Sequence, residues 1–324
     1  MHNTKRLKKL FMPIFMALGV ISLALILYYV FAGVSVETWD YNIPRRVKII
    51  SAILLVSVAV GISSVIFQTI TANYILTPSI MGLDNLYIFL QTVVIFFLGS
   101  GQLEMMSSPT HFLLTLIFMI CVSTGIFFFM FKGQGTNIFY VVLVGIIFGV
   151  AFEGMSSFMQ VLIDPSEFSV LEGRMFASFN RINVELLGIT SIVVVATISF
   201  LISDFKNLDV LTLGRAQAIT LGVNYKRVVL KSLVIVAILT STSTVLVGPV
   251  TFLGILIVSI ARFLCPTYRH MILLPATVLV GVCILVFGML ITERLLDFTV
   301  PLSVIINFAG GIYFIYLMLK LKRI

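Results

Sequence analysis

The chain has 324 residues, 60% of them hydrophobic and only 10% charged, with a net charge of +8. Soluble domains carry about 25% charged residues, so a water-soluble enzyme or binding module is excluded and lipid is the expected solvent. The basic surplus is scattered in short segments between apolar runs, which excludes a nucleic-acid-binding patch and fits membrane orientation instead.

In chain order, a basic start, "MHNTKRLKKL", precedes a first apolar run at 11–32. It is long enough to span a bilayer. No small-residue cleavage signature follows, so it reads as a retained first helix rather than a signal peptide. Further apolar runs lie at 47–71, 79–98, 112–131, 138–162 and 186–203, then at 228–247, 250–264, 271–291 and 301–319. The sequence therefore predicts an all-α, polytopic bundle of about ten spans, one domain over 1–324, with both termini on the cytoplasmic side. The three cysteines, Cys121, Cys265 and Cys283, lack metal-ligand spacing and read as small hydrophobes.

Charge tests this topology. With the N-terminus cytoplasmic, only Arg45, Arg46, Lys48, Arg174, Arg181 and Arg294 of the 21 Lys and Arg residues fall outside. Retention of basic residues on the cytoplasmic side during insertion produces such a bias. The largest cytoplasmic loop, 204–227, holds all but the last residue of "LDVLTLGRAQAITLGVNYKRV", Leu208 to Val228. It is too short and polar to span. Leu208, Leu211, Ala218, Ile219 and Leu221 can form one apolar side, broken at Gly214 and ended by Gly222. Such an element can lie on the lipid surface or dock on a cytoplasmic partner, and the pattern alone fits both.

Within the spans, Ser57, Gly61, Ser64, Gln68 and Thr71 share one face of the second helix, and Gly145, Gly149, Glu153, Ser156 or Ser157, and Gln160 share one face of the fifth. Small residues at this spacing pack helices closely or line a path. Glu153 is an ionisable group inside a span and is a path candidate; the other reading is a protonated carboxyl bonded to a neighbouring helix. Asp84, near the cytoplasmic end of the third span, can simply reach water. The chain lacks G-x-x-x-x-G-K-[ST], so ATP-driven work would have to enter from another protein.

Four stretches then resemble one family. "LGRAQAITLGV" (Leu213–Val223) is similar to the coupling segment of the permeases that import ferric siderophores, haem and cobalamin, within the ATP-binding cassette (ABC) importers. "IPRRVKIISAILLVSVAVGISSVIFQTITANYILTPSIMG" (Ile43–Gly82) resembles the family's Pro-Arg entry, Gly-rich second helix and Asn-to-Pro turn. "VGPVTFLGILIVSIARFLCPTYRHMILLPATVLVG" (Val247–Gly281) and "VPLSVIINFAGGIYFIYLMLK" complete the series in the family's order.

The resemblance implies a permease without its own ATPase site. ATP and Mg would sit on partner ATPase subunits gripping Leu208, Leu211, Arg215, Ala218, Leu221 and Gly222, and this chain would bind no cofactor or metal. It further implies an external substrate-binding lipoprotein docked on Arg45, Arg46 and Arg294. The translocation path would run past Ser64, Gln68, Thr71, Glu153, Ser156 and Gln160, and a second permease subunit would complete the dimer. Departures at Asn73–Pro78, Val258-Ser259, Met289 and Arg215-Ala216 imply a divergent branch and favour a heterodimer. The expected cargo is a ferric siderophore of catecholate type, with haem or cobalamin as alternatives. An ion-coupled transporter would need several buried ionisable relays, and an intramembrane enzyme a cluster of acid, base or metal-binding groups at one depth. Neither pattern is present in the sequence.

Overall fold

The computed structural model describes residues 2–35, 37, 39–105, 108–132, 138–180 and 182–321. Regular structure there is helical throughout. Nine helices are long and apolar enough to cross a membrane. They lie in α1 (His2–Phe31), α2 (Trp39–Thr71), α3 (Leu83–Met105), α4 (Ser108–Lys132), α5 (Ile138–Leu162), α7 (Val184–Ile202), α10 (Tyr225–Val247), α12 (His270–Arg294) and α13 (Leu302–Leu321). Helices suit this solvent because each satisfies its own backbone polar groups.

The eighth expected span, 250–264, differs. It forms α11 (Leu253–Leu264), only twelve residues long. At 1.5 Å per residue that is about 18 Å, short of a hydrocarbon core of about 30 Å. Gly248, with φ +100, breaks the chain ahead of it. Most of α11, from Leu253 to Val258 together with Ala261, is buried against the bundle. Non-helical backbone at membrane depth is tolerated where protein covers it.

Two of the remaining elements, α8 (Phe205–Leu211) and α9 (Arg215–Thr220), form the predicted non-spanning segment. The third, α6 (Pro165–Met175), follows α5. α2 and α10 are each 72% buried over their apolar windows and α12 61%, whereas α1, α5 and α13 are each 22% buried. The first three form the centre and the last three the rim. A 3-10 turn, Pro78–Met81, ends at Gly82 and returns the chain into the bundle after α2. Gly82 has φ +83, and a Cβ on the facing Gly149 of α5 would lie 2.7 Å from its Cα. Two backbones meet where side chains have no room.

Two polar clusters fix the ends of the bundle. At one end the start of α2 meets the ends of α1 and α12, through Arg46 and Glu293. At the other, the end of α2 meets the start of α12 and α8, through Thr69, His270 and Asp209. The antiparallel α2 and α12 therefore connect the segment end to the opposite end.

Candidate functional site

The α8–α9 segment is attached by an apolar underside. Leu208 and Ala218 are fully buried and Leu211 is 4% exposed. All three face the chain's own bundle, so they anchor the segment and offer no surface to a partner. Leu213 (57%), Ile219 (51%) and Leu221 (62%) are the outward apolar groups. Gly214 (φ +97) separates the two helices and Gly222 (φ +84) ends the second. The Arg215 guanidinium lies 5.6 Å from the centre of the Tyr225 ring at the start of α10, and the Asn224 side chain caps α10 by accepting from the Arg227 N–H at 3.2 Å. Lys231 on α10 pairs with Asp204 and donates to the Phe200 carbonyl at 3.1 Å, tying the end of α7 to α10.

At the opposite end the three arginines separate into two kinds. Arg46 is buried. Its Nη1 donates to the carbonyls of Tyr29 (2.9 Å), Val30 (3.2 Å) and Ala32 (2.8 Å), and its Nη2 meets Glu293 at 2.6 Å. These are the orphan carbonyls at the end of α1, so Arg46 is a clamp rather than a surface cation. Arg294 is exposed and donates to the Ala32 carbonyl. Arg45 is also exposed, with its guanidinium 5.9 Å from the centre of the Phe298 ring.

The α2 stripe is enclosed in this conformation. Ser64 and Thr71 are each 1% exposed and Gln68 is fully buried. Cβ atoms built on Gly61 and Gly281 would touch Thr277 and Ser57, respectively, so this face packs against α12. Thr71 donates back to the Phe67 carbonyl at 2.7 Å. Among the described residues neither amide atom of Gln68 has a hydrogen-bond partner, an arrangement that costs roughly 1–3 kcal/mol. Beside it, a cleft of about 590 Å³ at the segment end is lined by Gln68, Tyr74, Thr212, Arg262 and Tyr268. Arg262 lies 4.5 Å from the centre of the Tyr74 ring.

On α5 the small-residue stripe also packs. Gly145 faces Met81 and Gly149 faces Gly82. Ser156 is buried, and Gln160 donates to Thr92 at 3.3 Å. Glu153, at the edge of this stripe, is exposed and accepts from Asn85 at 3.3 Å; the same Asn85 amide donates to the Gly149 carbonyl at 3.1 Å.

Sequence reasoning missed two features. Asp84 does not reach water: it is 4% exposed and accepts from Thr251 (2.9 Å) and Thr244 (3.4 Å). The run "TSTST", Thr240–Thr244, was the available signal, since it brings five hydroxyls into a buried helix. The second is the joining of Asp209 and Thr69 through His270, which nothing in the local sequence indicates.

A rim of poorly covered spans around a buried centre, with an amphipathic segment strapped to one end, defines a multi-pass membrane protein. The chain belongs to the FecCD transport family, whose model matches residues 9–320. Members of this family are permease subunits of ABC importers in the cell membrane. The chain is 47% identical over 303 residues to the petrobactin import system permease protein YclO of Bacillus subtilis, covering 94% of this chain and 95% of that one. It is 33% identical to the petrobactin import system permease protein FatC of Bacillus anthracis, covering 87% and 80%. A metal-chelate type ABC transporter in an inward-facing conformation has the same fold. It aligns with a TM-score of 0.82 at 22% identity over 96% of this chain and 99% of that one.

Proposed function

We propose that this permease carries a ferric siderophore, of the catecholate type, into the cytoplasm by alternating access. Two relatives at 47% and 33% identity are petrobactin permeases, which supports a siderophore over haem or cobalamin. The segment end faces the cytoplasm, as does each terminus, an orientation supported by the distribution of basic residues. A separate ATPase, holding ATP and Mg, grips the outward face of the segment through Leu213, Ile219 and Leu221, while Leu208 and Leu211 transmit its movement as anchors. The binding lipoprotein docks at the opposite end, where Arg45 and Arg294 are exposed.

The observation that carries the translocation reading is Glu153. A carboxylate exposed partway along a span is expensive in lipid, so the α5 face that bears it is covered by a second permease or by water between the two. That face is the path, and Gln68 with its unpartnered amide stands at the exit cleft. ATP binding shifts the population between outward- and inward-open states.

The test is reconstitution in proteoliposomes with the companion permease, ATPase and binding protein. Uptake of ferric siderophore that stops when the ATPase cannot hydrolyse ATP is the expected result. Uptake that follows an ion gradient without the ATPase overturns it.

A further inference from the structure

We propose that His270 is a positioning residue that transmits movement of the coupling segment into α2. This rests on the ATP-driven reading above. His270 is the first residue of α12 and is 1% exposed. Its backbone N–H donates to Asp209 Oδ1 at 2.8 Å, and its ring Nδ1 lies 2.6 Å from the same oxygen. Asp209 belongs to α8. The other ring nitrogen, Nε2, lies 2.9 Å from Thr69 Oγ1, next to Gln68 near the end of α2. One imidazole thus joins the segment, α12 and α2.

The two ends of this link differ. On the Asp209 side a single carboxylate oxygen receives both the ring and one of the amides that a helix N-terminus leaves unpaired, where negative charge is favoured. That joint is stiff and directional. The apolar contacts of Leu208 and Leu211 are not, because burial has no preferred direction. On the Thr69 side the hydroxyl has one hydrogen and two acceptors in reach. Val65 carbonyl is 2.9 Å away in the same helix. Nδ1 faces the Asp209 carboxylate and carries the hydrogen on that side, which leaves Nε2 to meet the Thr69 hydroxyl. Thr69 has both the ring and the Val65 carbonyl in reach, so its hydroxyl keeps a partner when the ring moves away. This is a two-position joint, which coupling between distant sites requires. A shift of α8 carries Asp209, the start of α12 and the ring together, and α2 follows or is released at Thr69.

The test measures cargo imported per ATP hydrolysed by the whole importer in proteoliposomes. Thr69→Val keeps the side-chain shape and removes the hydroxyl. His270→Asn places an amide nitrogen near Nδ1 and so retains Asp209, but does not reach Thr69. Each is expected to lower the transport ratio by at least about fivefold, while complex yield and ATP hydrolysis stay within about twofold of the parent. Because both cut the same joint, the double variant should be no worse than the poorer single one. An unchanged ratio in Thr69→Val overturns the proposal, as does a double variant whose loss is the product of the two single losses. Failure of the parent importer to couple uptake to ATP would instead overturn the functional reading.

Discussion

Arg46 and Arg45 are neighbours in sequence, yet the structure predicts opposite phenotypes for their loss. Replacing Arg46 by Met removes three hydrogen bonds to the end of α1 and leaves Glu293 without its cation, with side-chain exposures of only 11% and 17% for the pair. Breaking a buried pair from one side costs about 3–5 kcal/mol, because the remaining charge stays desolvated. Spread over a chain of this size, that corresponds to a fall in Tm of roughly 4–7 °C. Thermal unfolding in detergent, followed by size-exclusion chromatography, should show this fall for Arg46→Met and a change within about 2 °C for Arg45→Met, whose side chain is exposed. Adding Glu293→Gln to Arg46→Met should restore part of the loss, since the orphaned charge is then removed. If Arg46→Met melts with the parent and loses only binding-protein association, the clamp is not structural and the argument fails.

Leu221→Asp should leave the purified permease folded but release the ATPase in co-purification, because that side chain points outward; Leu208→Asp should lower the yield of folded protein, because that side chain is fully buried. Gly149→Leu should abolish folded protein, since even a Cβ there lies 2.7 Å from the Gly82 backbone; normal yield and uptake would refute the close approach. Cys265 is fully buried, and burial raises its thiol above the ordinary range, so thiolate is scarce at neutral pH and grows as pH rises towards the elevated value. Maleimide labelling of Cys265, with the other two cysteines replaced, should therefore be slow at neutral pH in the native protein and fast after denaturation in SDS; equal rates would refute its enclosure.

The architecture was legible in the sequence wherever lipid imposed it. Nine apolar runs match nine long helices, because a span is a one-dimensional signal of length and hydropathy. The run at 250–264 does carry the chain back to the segment end, where α12 begins, but its helix is only Leu253–Leu264; apolar residues covered by protein look the same in sequence as residues facing lipid, so the short helix was not legible. The 3.6-residue pattern of the segment grouped Leu208, Leu211, Ala218, Ile219 and Leu221 on one apolar side, whereas the structure splits them: Leu208, Leu211 and Ala218 turn inward and Ile219 and Leu221 outward. Arg46 was grouped with Arg45 because both lie at a helix start, and only the end of α1 folded over one of them separates the two. Pairings such as His270 with Asp209 join residues 61 apart. Local pattern cannot supply them.

The central position of α2 bears on how the protein is made. Its neighbours α10 and α12 begin at Tyr225 and His270, far downstream of Thr71. At synthesis rates of about 5–20 residues per second, roughly eight to thirty seconds pass between completion of α2 and the start of α10. Throughout that interval the hydroxyls and amide of Ser57, Ser64 and Gln68 lack the helices that will enclose them. A chain truncated before α10 therefore leaves this face of α2 without the helices that pack on it in the finished bundle.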